Sequence, residues 1–310
     1  MKCFRNTTDI YIEEDTVITL GKFDGLHSGH RVLVEALRKE KEKTGFKSVV
    51  FTFSRLPKEK IEKKKQPFLL SMEEKESLLE KSGVDYVIEY PFTEEVRRME
   101  AEDFVAMLVE KLHVKVFVIG TDFSFGYEKR GNYGLLQSLS QNYGFRVLAF
   151  TKKQKQGEDI SSTRIRNAIL NGDIQTANEL LGYPYFFEGE VQNGRKIGRT
   201  IGIPTVNLTP HERKLLPPFG VYASETVVDG KTYLSLSNIG KKPTVGDDNP
   251  VGLETYIFDF HEEIYGKPIC VKLLQFIRGE KKFESVEELK QQIQLDITKI
   301  LQTVDKKVSV

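Results

Sequence analysis

The sequence predicts a two-domain α/β protein: an N-terminal domain built on a parallel sheet, then a small antiparallel β-barrel with a terminal helix. Three observations predict it. Strand-like and helix-like segments alternate through the first half, the hydrophobic period shifts from 3.6 to 2 near Tyr185, and no long helical pattern returns before Val286. At 310 residues the chain is long enough for two cores of ordinary size.

In order, apolar β-branched runs predict strands at 17–20, 48–53, 86–89, 114–119 and 146–150. Amphipathic patterns between them predict helices at 29–43, 71–82, 100–112 and 133–142. Ligands of such sheets bind beyond the carboxyl ends of the strands. His27 and His30 follow the first strand and Asp122 the fourth, so all three are expected at one edge. Two short helices come next: Ser162–Leu170, stopped by Asn171-Gly172, and Ile174–Leu181, stopped by Gly182 and Pro184. The period-2 pattern begins at Phe186 and continues at 219–228, 231–238, 252–259 and 269–276, with Asp229-Gly230 as a hairpin turn. Short strands without intervening helices favour a small barrel. The stripe Leu289, Ile293, Ile297 and Ile300 gives a last helix, 286–301, one face to pack on it. The expected domains are 1–183 and 184–310.

Composition narrows the function classes. A hydrophobic content of 39% and a charged content of 29% fit a soluble globular protein. The formal charge of +1 gives no electrostatic basis for a nucleic-acid or anionic-membrane partner. Glutamates or glutamines interrupt the lysine runs at 58–65 and 152–155, which read as solvated loops. Cys3 and Cys270 cannot form a disulfide framework or a zinc site, so a reducing cytoplasm is expected. The N-terminus lacks the apolar core of a signal peptide, and no window approaches 18 apolar residues, so no membrane span is expected.

The densest chemistry lies in Gly21-Lys22-Phe23-Asp24-Gly25-Leu26-His27-Ser28-Gly29-His30. A strand precedes it and a helix follows, so the two imidazoles sit where free N–H groups and the helix dipole favour an anion. Glycines let phosphate approach the backbone, and His27 and His30 can donate to charge developing on phosphorus. The plainer alternative is a βα turn with two surface histidines. Asp24 is read either as part of the chemistry or as a turn-stabilising acceptor.

This turn resembles the H-x-G-H signature of nucleotidylyltransferases. Its longer form, G-x-F-D-G-x-H-x-G-H, resembles the adenylyltransferase half of prokaryotic bifunctional FAD synthetases. Gly120-Thr121-Asp122-Phe123-Ser124-Phe125-Gly126, followed by Arg130-Gly131, and Ile160-Ser161-Ser162-Thr163-Arg164-Ile165-Arg166 are similar to two further segments of that half. The resemblance implies a Rossmann-like nucleotidylyltransferase domain with catalytic His27 and His30. It places Gly21, Phe23, Asp24, Gly25, Gly29, Ser162, Thr163 and Arg166 on the nucleotide and its phosphates, and Asp122, Phe123 and Phe125 on the flavin. Read as residues alone, Ser162 and Thr163 can also cap a helix. Asp122 is a metal-side or ribose-side carboxylate or a turn residue, and the two phenylalanines stack on flavin or fill a core. One segment departs: the family tends toward Thr-Phe-x-Pro-His-Pro where this chain has Thr52-Phe53-Ser54-Arg55-Leu56-Pro57.

The second half has no Walker loop. It carries Gly194-Arg195-Lys196-Ile197-Gly198-Arg199-Thr200-Ile201-Gly202-Ile203-Pro204-Thr205-Val206-Asn207, which is similar to the riboflavin kinase signature G-x-P-T-x-N. In an extended segment Thr205 and Asn207 face the same side and offer oxygen ligands suited to Mg²⁺ carrying ATP phosphates. Gly220-Val221-Tyr222-Ala223, Asn238-Ile239-Gly240 with Pro243-Thr244-Val245, Leu253-Glu254-Thr255-Tyr256, Asp259-Phe260 and the 276–283 segment extend the resemblance, with Gly279 where an aspartate is more usual. It implies Glu254 as the base for a primary alcohol, Thr205 and Asn207 at the metal, Gly198 and Gly202 at the phosphates, and Arg278 at the flavin. Without it, Glu254 reads as a surface residue of an alternating strand, and Arg199 and Arg278 as phosphate contacts or solvated arginines.

The implied function is bifunctional: riboflavin and ATP give FMN, then FMN and ATP give FAD and pyrophosphate, with Mg²⁺ as cofactor. Two other readings stay open. One is a single working half, the adenylyltransferase being impaired at Ser54-Arg55-Leu56; the other is a flavin-binding regulatory protein without turnover.

Overall fold

The computed structural model describes residues 1–54, 67–194, 198, 202–241 and 251–308, with 303–308 described by backbone alone. Packing divides the chain into two units, Met1–Ser162 and Thr163–Val310.

Six strands make the sheet of the first unit: β1 (Lys2–Arg5), β2 (Thr16–Leu20), β3 (Lys47–Ser54), β4 (Tyr86–Pro91), β5 (Val114–Gly120) and β6 (Arg146–Phe150). All pair in parallel, in the order β1-β4-β3-β2-β5-β6. The order reverses between β2 and β5, and at such a switch point the connections leave a crevice at the carboxyl ends. β2 is buried at every position, as a central strand covered on both faces must be. One face of the sheet packs Ile18, Leu20, Phe51, Ile88 and Phe117 against Phe104, Leu108 and Leu112.

The helices of this unit carry their own start and stop chemistry. α1 (Ser28–Thr44) is capped at its start by His27 and ends at Gly45 with φ 75°, in the left-handed region glycine adopts without strain. α2 (Met72–Lys81) opens with a capping box between Ser71 and Glu74. The short α3 (Glu94–Arg98) is capped by Thr93, α4 (Ala101–Leu112) lays Phe104 and Leu108 on the sheet, and α5 (Tyr133–Tyr143) runs from an Asn132 cap to Gly144. A two-residue hairpin, β7 (Gln154–Lys155) with β8 (Glu158–Asp159), follows β6.

The second unit begins with α6 (Ser162–Leu170), which straddles the division, and α7 (Ile174–Leu181), then enters β9 (Phe186–Glu190), β10 (Val206–Leu208), β11 (Gly220–Val228), β12 (Lys231–Lys241), β13 (Val251–Ile257) and β14 (Pro268–Gly279). These strands are antiparallel, in the order β10-β13-β12-β11-β14-β9. A bridge between Gln192, just past β9, and Asn207, with the Gln192 N–H donating to the Asn207 carbonyl at 2.8 Å, nearly closes the barrel. α6 and α7, expected within 1–183, group by packing with the barrel. The reason is local: Asn178 of α7 donates to the Leu273 carbonyl at 2.9 Å and accepts from the Tyr185 N–H at 2.7 Å, stitching helix to strand.

Alternation sorts the barrel strands into two faces. Val221, Ala223, Leu236 and Ile277 pack outward on α8 (Val286–Val308), whose Ile300 is fully buried; burying it contributes roughly 2–3 kcal/mol. The opposite face holds Ser224, Thr226, Ser235, Ser237 and Thr255, all buried. Their hydroxyls satisfy one another across β11, β12 and β13 at 2.8–2.9 Å, as buried polar groups must.

Candidate active sites

In the first unit the β2–α1 turn is wound tightly. Phe23, Gly25 and Leu26 all have positive φ, at 44°, 85° and 38°. Two of these are not glycine, and such strain persists where the surroundings over-determine the backbone. The surroundings are visible. Asp24 is buried, and its carboxylate accepts the Leu69 N–H at 2.9 Å; its carbonyl accepts the Ser162 hydroxyl at 2.8 Å. The Lys22 carbonyl accepts from Thr52 Oγ1 at 3.3 Å and from Lys75 Nζ at 3.2 Å. A Cβ on Gly21 would lie 3.2 Å from the Phe23 ring, and one on Gly29 would lie 3.2 Å from the His27 imidazole.

His27 and His30 stack, with ring centroids 3.7 Å apart and 17° between planes. His27 Nδ1 accepts the His30 backbone N–H at 3.4 Å, which leaves its proton on Nε2. Burial pushes the His27 imidazole down to about 4, against the opposing pull of the Asp24 carboxylate. Burial also holds His30 well below its ordinary value, and the neighbouring His27 and Lys75 push the same way. Both rings are therefore neutral at pH 7: they offer N–H donors but no charge. Phe23 meets His30 edge-on at 5.2 Å, and His30 Nδ1 is buried without a hydrogen-bond partner among the described residues.

The other expected residues of this half divide. Ser162 joins the turn directly, through Asp24, while Thr163 is exposed and Arg166 buried on α6. Asp122 follows β5, across the switch point from the histidines; it is exposed and pairs with Lys152 at 2.9 Å. Phe125 is a core residue, packed on Phe104 and stacked beneath Phe123 with centroids 5.6 Å apart. Only Phe123 of the two is partly open. The glycines around them serve packing: a Cβ on Gly131 would sit 2.6 Å from the Phe125 ring, and one on Gly126 2.7 Å from Ala101. Arg55, Leu56 and Pro57 of the departing loop lie outside the described residues.

In the barrel, Asn207 of β10, Glu254 of β13 and Asn238 of β12 stand directly opposite one another on neighbouring strands. They share one face, and directly opposed side chains meet at about 5 Å between Cβ atoms. Glu254 is exposed and Asn207 buried. Asn207 is covered by Gly194, where a Cβ would come 2.4 Å from the amide nitrogen. A Cβ on Gly198 would come 2.2 Å from the Ile203 carbonyl and 3.4 Å from Thr205 Oγ1. The Ile203 N–H donates to the Gly198 carbonyl at 2.8 Å, and Gly202 has φ 78°. Gly194 thus lies against Asn207 and Gly198 against the Ile203 carbonyl, each too closely to carry a side chain without displacing its neighbour. Arg199 and Pro243-Thr244-Val245 lie outside the described residues.

Arg278 has a partner within the fold. The residue expected at the flavin donates from its guanidinium to the buried Asp296 of α8, with Nε and Nη2 at 3.0 and 2.8 Å from Oδ2. It ties the helix to β14. The Arg278–Asp296 spacing gave no local pattern to read. Sequence reasoning also passed over Lys75, whose only signal was a cation near the start of a capped helix, and left Asn238 inside a motif without a role.

Two family models divide the chain between them: FAD synthetase matches residues 9–164 and riboflavin kinase residues 181–304. The bifunctional riboflavin kinase/FMN adenylyltransferase of Listeria monocytogenes is 37% identical over 94% of this chain and 93% of its own length. That of Escherichia coli K12 is 38% identical over 92% of this chain and 91% of its own. The chain belongs to the bifunctional riboflavin kinase/FMN adenylyltransferase family. A crystal structure from Streptococcus pneumoniae, described as a macrolide-efflux protein, shares the fold: TM-score 0.82, 33% identity, covering 96% of this chain and 97% of that one. Among the described residues no helix is long and apolar enough to cross a membrane.

Proposed function

We propose that residues 184–310 phosphorylate riboflavin to FMN with ATP, and that residues 1–183 adenylylate FMN to FAD with release of pyrophosphate. The observation that carries this reading is that both family models are matched in one chain, each over a unit with an assembled group of polar residues.

At the barrel, Glu254 accepts the proton of the terminal ribityl hydroxyl as that oxygen attacks the γ-phosphorus and ADP departs. Asn207 and Thr205 would supply the uncharged oxygens that suit Mg²⁺ carrying ATP phosphates. When bound, the ion neutralises phosphate charge as the γ-phosphoryl transfers. Asn238, in the same row as Glu254, orients the hydroxyl.

At the parallel sheet, a phosphate oxygen of FMN attacks the α-phosphorus of ATP, and the bond to the bridging oxygen breaks. That nucleophile is already ionised, so neutral histidines suffice: His27 Nε2–H and the His30 imidazole stabilise charge on the α-phosphate without exchanging a proton. Glycines 21, 25 and 29 admit the phosphates to the turn, Thr163 and Arg166 add donors, Phe123 stacks on the flavin and Asp122 serves the ribose. ATP as common substrate and a chain with two cysteines, too few for a disulfide framework, support a cytoplasmic setting.

The test is chromatographic product analysis with Mg-ATP, starting once from riboflavin and once from FMN. FMN from the first and FAD from the second support both halves. FMN without FAD leaves a kinase alone, and tight flavin binding with no product leaves a regulatory protein.

A further inference from the structure

The histidines of the β2–α1 turn are donors without charge. Among the described residues the cation that registers at His30 is Lys75. Adenylyl transfer sends the electron pair of the broken α-phosphorus–oxygen bond onto departing pyrophosphate, so negative charge grows on the side away from the attacking flavin phosphate. Hydrogen bonds from neutral rings bring no countercharge of their own to that side.

Lys75 lies one turn into α2; two contacts hold that helix start against the turn and a capping box orders the helix start itself. The Leu69 N–H donates to the Asp24 carboxylate, the Ser71–Glu74 capping box fixes the first turn, and Lys75 Nζ reaches the Lys22 carbonyl at 3.2 Å. The same carbonyl takes a bond from Thr52, so it keeps a partner if the ammonium leaves it. Glu89 of β4 feels Lys75, and burial raises its carboxyl; Glu73 and Glu76 of α2 act on Glu89 as well.

Resting on the adenylyl-transfer reading of this unit, we infer that Lys75 binds the β- and γ-phosphates of ATP and holds the departing pyrophosphate. An ammonium on a flexible stem suits this, because it can exchange a backbone carbonyl for a phosphate oxygen without moving the helix.

The reverse reaction, FAD plus pyrophosphate giving FMN plus ATP, isolates the claim. Lys75→Met keeps the length of the stem and removes the charge. It is expected to raise KM for pyrophosphate and for ATP tenfold or more, to leave KM for FAD and FMN within twofold, and to leave riboflavin phosphorylation unchanged. Lys75→Arg is expected to recover most of the loss, and Lys75→Gln serves if the methionine variant fails to fold. Unchanged KM for pyrophosphate overturns the inference. So does a rise in all four constants together with a lowered melting temperature, which marks a structural strap. Absence of FMN-to-FAD conversion in the unsubstituted protein strikes the underlying reading instead, and is told apart because it needs no substitution.

Discussion

A histidine that caps a helix through Nδ1 must stay neutral to keep accepting, and His27 is built that way. Its folded value of about 4 lies below the ordinary 6.5, so between those two pH values the unfolded chain binds a proton that the fold does not. Stability from this group is therefore complete above pH 6.5 and is lost as pH falls toward 4, by roughly 3 kcal/mol in all. His27→Asn keeps a capping side chain and removes the titration. Its urea midpoint should fall less than the parent's between pH 6.5 and 4. Equal slopes in the two proteins would show that the acid sensitivity lies elsewhere. The two-histidine turn was legible because its chemistry is contiguous in sequence. Arg278 was not: its partner Asp296 reaches it only through the fold, and an arginine on a strand reads the same whether it faces ligand or helix. Phe125 shows the same limit, since its burial depends on Phe104, which lies outside its own motif.

Among the elements, legibility followed the apolar content. The central strands β2, β3 and β5 were readable because both faces are buried, and the hairpin at Asp229-Gly230 because its residues suit positive φ. β1 was missed: Lys2–Arg5 is a charged edge strand on β4 with no run to mark it. α3 was missed because five residues with no buried side chain leave no periodic stripe. Gly194, packed on Asn207 of β10, is a position whose function depends on the side chain it lacks. Gly194→Ala places a methyl where the Asn207 amide stands, and Asn207 is too short and too buried to yield. Riboflavin phosphorylation should fall at least tenfold, with KM for Mg-ATP raised, while conversion of FMN to FAD keeps its rate. Steady-state kinetics of both reactions on the one variant checks this; normal KM for Mg-ATP would mean that Gly194 does not shape the nucleotide site.

For the whole molecule, each unit carries its own polar machinery, so the two activities should separate by single substitutions. Glu254→Gln removes a base, and general-base catalysis is worth about 10²–10⁴-fold, so FMN formation should collapse while FAD formation from added FMN persists. His30→Ala removes a donor at the α-phosphate, worth about 10²–10³-fold, and should do the reverse. Loss of both activities from either folded variant would overturn the division. The two variants mixed in one tube test how the halves cooperate. Each chain then retains the activity its neighbour has lost, and FMN is the released product of one reaction and the entering substrate of the other. Riboflavin and Mg-ATP should yield FAD in the mixture after a lag in which free FMN accumulates, and neither variant alone should yield it. A mixture that makes FMN without FAD, although added FMN is converted, would mean that the intermediate does not pass through solution.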